Sequence, residues 1–155
     1  MTPEDPGIRF PPPLIFLGLG LLGWAIERLS GIHSPPFQNW AAWPVAAVFG
    51  VVGVLLLANA LLRFRDLGTP PEPWKATAAI TRQGIYSRTR NPMYLGMACL
   101  QLAVALAVQS VGVLIAVVPA LLIVDRFVVR REEAYLLARF GDQYADYLAS
   151  VPRCL

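Results

Sequence analysis

The sequence has few of the residues that build metal centres, disulfide frameworks and soluble acid–base sites. Its 155 residues include two cysteines and one histidine, and only 15% are charged. Cys99 lies inside an apolar run and Cys154 follows the last apolar segment, so no disulfide framework is expected. Together with His33 they have no zinc-type spacing, and the sequence predicts no metal site. So little charge also argues against an ordinary soluble domain.

The sequence also lacks the usual soluble nucleotide-binding and hydrolase motifs. It has no phosphate-binding P-loop and no nucleophile elbow. Gly18, Gly20 and Gly23 match the G-x-G-x-x-G pattern, but they lie inside an apolar run rather than between a strand and a helix. Glycines in such a run allow neighbouring helices to approach closely. We therefore predict helix packing for this motif, not dinucleotide binding.

Hydrophobic residues make up 56% of the chain and are concentrated in four runs. The runs cover about residues 14–29, 40–62, 93–108 and 111–129. Each approaches or exceeds the roughly 20 residues that a helix needs to cross a bilayer, and none alternates like a barrel strand. The sequence predicts an all-α polytopic membrane protein, a single membrane domain over residues 1–155 with about four transmembrane helices. A soluble all-α bundle is the alternative, and the absence of charge between Trp40 and Leu62 argues against it.

Basic residues are distributed unevenly around these runs. Residues 63–91 and the segment from Arg126 onward hold most of the arginines, whereas Arg28 alone stands at the end of the first run. By the positive-inside rule, both basic segments and both termini are predicted to be cytoplasmic, with the chain integral to the cytoplasmic membrane. The net charge of +3 is then explained by orientation and anionic headgroups. We expect membrane lipids as partners and no nucleic acid.

Two polar segments adjoin the predicted spans on the cytoplasmic side. Residues 84–96, with the sequence GIYSRTRNPMYLG, enter the third run. Residues 130–153 follow the fourth run and have apolar side chains at three- and four-residue spacing, which predicts an amphipathic helix. The short connection at residues 109–110 makes the third and fourth runs antiparallel neighbours. Segments 69–94 and 130–153 should therefore meet and form a pocket for a small zwitterion or nucleotide-like cofactor.

The order of these motifs resembles a known family. The first motif is Gly-x-Tyr, the second is Arg-x-x-Arg-Asn-Pro-Met-Tyr-Leu-Gly, and the third is Glu-Glu-x-x-Leu-Leu-x-x-Phe-Gly-x-x-Tyr-x-x-Tyr-x-x-x-Val-Pro-Arg. Together they are similar to the motifs of the isoprenylcysteine carboxyl methyltransferases and their phospholipid N-methyltransferase relatives. The similarity covers roughly residues 69–153. It implies an integral membrane enzyme that uses S-adenosylmethionine and has no soluble Rossmann domain.

The resemblance also implies roles for particular residues. The cofactor-binding positions that match the family motifs are Ala78, Ala79, Ile80, Thr81, Tyr86, Arg90, Asn91, Pro92, Met93, Tyr94, Glu132 and Glu133. Of the two carboxylates, Glu132 aligns with the family residue expected to hold the methionine ammonium, and Glu133 is the neighbouring candidate. The family's acceptor-binding arginine aligns with Val128, so Arg126 and Arg130 are the substitutes predicted to position the acceptor.

Asn91 is the main departure from the family, whose name-giving members have histidine there. Asparagine donates and accepts hydrogen bonds but is not a base near neutral pH. The one histidine, His33, falls in a loop predicted on the opposite membrane face. Methyl transfer from a sulfonium depends mainly on positioning and the exclusion of water, so a base is not essential. Asn91 therefore favours an acceptor that needs no proton removal.

The predicted function is S-adenosylmethionine-dependent methyl transfer to a hydrophobic or lipid-like acceptor at the cytoplasmic membrane face, as in isoprenylcysteine carboxyl methyltransferases. The enzymatic alternative is a phospholipid or small-amphiphile N- or S-methyltransferase. Two further alternatives are a non-catalytic membrane scaffold and a distantly similar reductase with a nicotinamide cofactor. The Tyr86, Tyr94 and Glu132 side chains argue against a scaffold.

Overall fold

The computed structural model describes residues 7–8, 11–31, 42–68 and 80–154, and within these ranges the chain is helical with no strand. The α-helices are α1 (Pro12–Leu29), α2 (Ala42–Asp66), α3 (Pro92–Ala107), α4 (Val111–Val124), α5 (Arg130–Phe140) and α6 (Asp142–Ser150). A short 3-10 helix, Gly84–Ser87, precedes α3. The predicted all-α polytopic membrane fold is confirmed.

Within the described residues, three helices have the length and composition to cross a membrane. They are α1, α2 and a continuous helix over Val111–Phe140, while the apolar α3 is shorter, with 16 residues. The continuous helix joins α4 to α5 through a π-helical turn, Asp125–Val129. Its 30 residues would be about 45 Å long, more than the hydrocarbon thickness of about 30 Å. The charged part from Arg130 onward therefore extends beyond the apolar span.

The amphipathic segment after the last span consists of two helices, α5 and α6. Gly141 separates them with a φ of 52°, a conformation that favours glycine. Tyr144 and Tyr147 of α6 are buried against Leu136 and Phe140 of α5 in one apolar cluster. This turn folds α6 back toward the helix that carries the two adjacent glutamates.

Glycine pairs set the closest approaches between helices. A Cβ at Gly23 of α1 would collide with the carbonyl of Gly112 in α4, and the reverse also holds. A Cβ at Gly53 of α2 would lie 2.9 Å from the carbonyl oxygen of Gly96 in α3. Gly18 faces open space, so the packing role predicted for the glycine motif applies to Gly23 and not to Gly18.

Polar contacts at the helix ends lie on two sides of the molecule. On one side Glu27 of α1 accepts hydrogen bonds from the Ser110 hydroxyl and, at 2.9 Å, from the Gly112 backbone N–H at the start of α4. On the other side the Arg131 guanidinium donates to the Gly7 carbonyl at 3.1 Å. The ends of α2 and α3 adjoining the 3-10 helix lie on this second side, so the two predicted cofactor segments meet there.

Candidate functional site

A small pocket of about 60 Å³ lies where α2, α3, α5 and α6 meet the 3-10 helix. It is lined by Phe64, Ile80, Thr81, Tyr86, Arg90, Asn91, Val129, Glu132, Glu133, Leu136, Tyr144 and Tyr147. The structure thus brings together side chains from both predicted cofactor segments. The predicted cofactor residues among them are Ile80, Thr81, Tyr86, Arg90, Asn91, Glu132 and Glu133.

Glu132 is the acidic group of the pocket that is bonded to α3. The hydroxyl of the buried Tyr94, in the first turn of α3, donates to Glu132 Oε2 at 3.0 Å. Burial raises the pKa of the Glu132 carboxyl to about 7; the hydrogen bond from Tyr94 lowers it, and the neighbouring charge of Glu133 raises it. A carboxyl this costly to ionise is stabilised by a cation brought into the pocket.

The Glu133 carboxylate forms ion pairs with two arginines. Arg90 Nη1 lies 2.9 Å from Glu133 Oε1, and Arg153 donates to both carboxylate oxygens through Nε and Nη2. Arg153 also bonds Asp125 at 3.1 Å, which ties the C-terminal segment to the π-helical turn. Both oxygens of Glu133 are therefore engaged within the protein, and Glu132 is the better candidate to hold a ligand cation.

The Arg90 guanidinium includes a buried donor that no described residue satisfies. Its Nε is buried and has no hydrogen-bond partner among the residues that the structure describes. A buried polar atom without a partner is costly, and an anionic group in the pocket would satisfy it. Arg90 and Glu132 thus offer one donor to an anion and one acceptor to a cation in the same pocket.

Asn91 fastens the C-terminal segment to the loop before α3. Its carboxamide Nδ2 donates to the Arg153 carbonyl at 3.2 Å, and the fully buried Thr89 hydroxyl donates to the same oxygen at 3.0 Å. The Arg90 backbone N–H donates to the Pro152 carbonyl at 3.1 Å. The amide of Asn91 therefore stabilises the pocket wall.

Aromatic rings form the rest of the lining. Phe64 and Tyr86 make an edge-to-face contact with centroids 5.8 Å apart, and the Tyr147 hydroxyl donates to the Tyr86 carbonyl at 2.7 Å. Burial raises the pKa values of Tyr86 and Tyr144, and it raises that of Tyr147 to about 12. These phenols are therefore neutral near pH 7, and their ring faces can attract a cation.

The remaining predicted cofactor residues are Ala78, Ala79, Pro92, Met93 and Tyr94, of which Tyr94 contacts the pocket through its bond to Glu132. Ala78, Ala79 and His33 fall outside the described residues. Pro92 and Met93 begin α3 beside the pocket without lining it.

The two predicted acceptor residues are not in the pocket lining either. Arg126 is exposed in the π-helical turn, and Arg130 Nε bonds Asp125 Oδ2 at 2.9 Å on the helix exterior. Neither side chain is among those that line the 60 Å³ pocket. Their predicted role would require an acceptor that reaches the outer side of this turn.

Sequence reasoning assigned no role to Phe64, Thr89 or Arg153. Phe64 closes an apolar run and Thr89 is a single small residue, so neither carries a local signal. Arg153 stood within the Val-Pro-Arg motif, but its bonds to Glu133 and Asp125 depend on tertiary folding. The three-residue spacing of Tyr144 and Tyr147 indicated a buried helix face but not the pocket that this face closes.

No curated protein and no solved structure matches the chain. The sequence profile described as Phospholipid methyltransferase matches residues 43–143, well over half of the chain. The match includes Phe64, Arg90, Tyr94 and Glu132 of the site, and it confirms the membership that the sequence motifs predicted. The chain belongs to the phospholipid methyltransferase family of membrane methyltransferases.

Proposed function

We propose that this membrane methyltransferase transfers a methyl group from S-adenosylmethionine to a hydrophobic or lipid-like acceptor at the cytoplasmic membrane face. Membership of the family supports methyl transfer in a membrane, while the donor, the acceptor class and the face are our proposal. One observation carries it: the partly buried Glu132 carboxyl accepts a hydrogen bond from Tyr94 and shares a pocket with Arg90, whose Nε has no partner among the described residues.

These residues fit the charged end of S-adenosylmethionine. The Glu132 carboxylate would accept from the methionine ammonium, and Arg90 Nε would donate to the methionine carboxylate. The enclosed 60 Å³ is below the roughly 300 Å³ at which ligand pockets begin, so it suits the amino-acid end rather than the whole cofactor. We propose that the nucleoside end lies along the wall made by Ile80 and Thr81, the segment whose backbone the family resemblance assigns to the cofactor.

S-Adenosylmethionine, when bound, supplies an electrophilic methyl group on a positively charged sulfur. The protein's part is to bind and orient. Glu132 and Arg90 hold the two charges of the amino-acid end, and the neutral rings of Tyr86 and Tyr147 present π-faces that stabilise positive charge. Asn91 keeps the C-terminal segment against the loop, which limits the access of water. With a carboxylate acceptor, no residue in this scheme has to remove a proton.

The acceptor is proposed to be amphiphilic, with two candidate reacting groups. The missing histidine favours a carboxylate, as in isoprenylcysteine, because a carboxylate needs no base. The family description favours a phospholipid amine, which must lose its proton to water or to a carboxylate such as Glu132. Arg126 and Arg130 stay predicted acceptor-positioning residues. Alkali distinguishes the products, since it releases methanol from a methyl ester and leaves an N-methyl group intact.

The proposal is tested by a cofactor panel. The purified protein in lipid nanodiscs is titrated calorimetrically with S-adenosylmethionine and, separately, with NADPH. We expect saturable binding of S-adenosylmethionine and none of NADPH. Binding of neither would favour a membrane scaffold, and binding of NADPH alone would favour a reductase; either result would refute the proposal.

A further inference from the structure

A second cavity, of about 610 Å³, runs between α1 and α3 on the membrane-facing surface. Its walls include Phe16, Gly20, Trp24, Met97, Gln101 and Val104. Trp24 and Val104 are 44% and 52% exposed, so the groove is open to lipid along its length. It is lined almost throughout by apolar side chains, which suits a hydrocarbon chain.

Gln101 is the exception in this groove. Its side chain is 7% exposed, and its Nε2 donates to the Val113 carbonyl at 3.3 Å. Its Oε1 is buried and has no hydrogen-bond partner among the described residues. The bond to Val113 fixes which end of the amide is which, because the reverse orientation would set two acceptors against each other. The Gln101 side chain thus lines the groove and has a buried acceptor atom without a donor among the described residues.

One face of α3 runs from Tyr94, which bonds the pocket residue Glu132, to the groove. Tyr94, Met97, Gln101 and Val104 follow the three- and four-residue spacing of a single helix face. Tyr94 bonds Glu132 at the pocket, and Gln101 lies seven residues further along, about 10 Å by helical rise. A chain lying in the groove with its headgroup near Tyr94 would pass Gln101 at about that distance.

We infer that the groove binds the hydrocarbon chain of the acceptor and that Gln101 selects chains with a hydroxyl roughly 10 Å from the headgroup. The inference rests on the proposed function, since it names the class of amphiphile that would be methylated. A hydroxyl donates to the free Oε1, which a plain hydrocarbon chain leaves unsatisfied in the membrane. Gln101 thus acts as a specificity residue far from the reacting atoms.

Trp24 provides a direct binding readout because it lines the groove. In a variant with the other tryptophans, Trp40, Trp43 and Trp74, changed to Phe, its fluorescence is quenched by amphiphiles brominated near the chain end. Two single-chain phosphoethanolamine probes, with and without a hydroxyl at that position, are titrated in detergent micelles without any methyl donor. We expect the hydroxylated probe to quench at about tenfold lower concentration, the effect of one satisfied buried acceptor.

Two variants separate Gln101 from the rest of the groove. Gln101→Leu should abolish the preference for the hydroxylated probe. If the leucine variant does not fold, Gln101→Asn replaces it, because the shorter side chain withdraws the carbonyl and should abolish the preference too. Val104→Ala, on the same wall, should weaken both probes equally and keep the ratio.

Three outcomes would each overturn the inference. The first is equal quenching by both probes, and the second is a preference that survives in both Gln101 variants. The third is unquenched Trp24 fluorescence because a second copy of the chain covers the groove. The assay contains no methyl donor, so its outcome is independent of the cofactor panel. A protein that prefers the hydroxylated probe but binds no S-adenosylmethionine refutes only the proposed function. One that binds S-adenosylmethionine without the preference refutes only the role of Gln101.

Discussion

Replacing Glu132 with glutamine should weaken the binding of S-adenosylmethionine by about ten- to a hundredfold. The change keeps the shape of the side chain and an oxygen that can still accept from Tyr94. It removes the negative charge, and a hydrogen bond between charged groups is worth roughly 1.5–3 kcal/mol. Calorimetric titration in nanodiscs at pH 7.2 measures the affinity of both proteins.

The same substitution should change how binding depends on pH. Burial raises the pKa of Glu132 from 4.5 to about 7, so below pH 7 a cation must displace a proton from the empty site. Wild-type affinity should therefore fall, approaching tenfold per pH unit below pH 7, while an α-amino group of pKa about 7.7–8.0 stays charged. Glu132→Gln should show a flat profile over that range.

In the protein without cofactor, the free energy of unfolding should decrease as pH rises, whereas cofactor affinity increases. Because the folded state holds the Glu132 proton more tightly than the unfolded chain, rising pH between 4.5 and about 7 costs the fold stability. Glu132→Gln should remove that loss.

A matched control separates the pocket charge from net charge. Asp146→Asn removes one exposed carboxylate on α6 outside the pocket lining and should leave the affinity unchanged. Equal affinities of wild type and Glu132→Gln, or an unchanged pH profile, would show that Glu132 does not hold the cofactor. An equal loss in Asp146→Asn would attribute the effect to overall charge.

Three further predictions concern the fold. Gly112→Ala should lower the free energy of unfolding by about 1–3 kcal/mol, because its Cβ meets a carbonyl of α1, whereas Gly18→Ala, in open space, should not; thermal denaturation in detergent compares them. Asn91→Ala should lower it by about 1 kcal/mol through the lost bond to the C-terminal segment, measured the same way, and an unchanged midpoint would contradict that role. Two single-cysteine proteins test the topology: one keeps only a cysteine introduced as Ser30→Cys, and the other keeps only the exposed Cys154. An impermeant thiol reagent added to intact cells should label the first and not the second. The reverse pattern would place the site outside.

Much of the fold was predictable because hydrophobic length and periodicity are local properties. The four apolar runs correspond to α1, α2, α3 and α4, with ends displaced by a few residues. The fourth run was predicted to reach residue 129, through the charges of Asp125 and Arg126, but nothing in the local sequence indicated the π-helical geometry of Asp125–Val129. The pairing of Asp125 with Arg130 and Arg153 shows how those charges are accommodated.

The site was predictable only as far as its motifs reach. Asn91, Tyr94 and Glu132 stood in recognisable patterns, and the short helical hairpin implied that they meet. The division of labour between the two glutamates was not visible, because it depends on Arg153, about twenty residues further along the chain. The Gln101 oxygen, which has no partner among the described residues, likewise follows from helix packing and not from the local sequence.

The most direct test of methyl transfer at this site is the fate of the methyl group. Membranes containing the wild-type protein or Glu132→Gln are incubated with S-adenosylmethionine carrying a tritiated methyl group at low concentration, and lipids are extracted into organic solvent. We predict label in the lipid fraction with the wild type and at least a tenfold lower initial rate with Glu132→Gln, as its weaker affinity requires. No label above protein-free membranes, or equal rates with both proteins, would contradict the account.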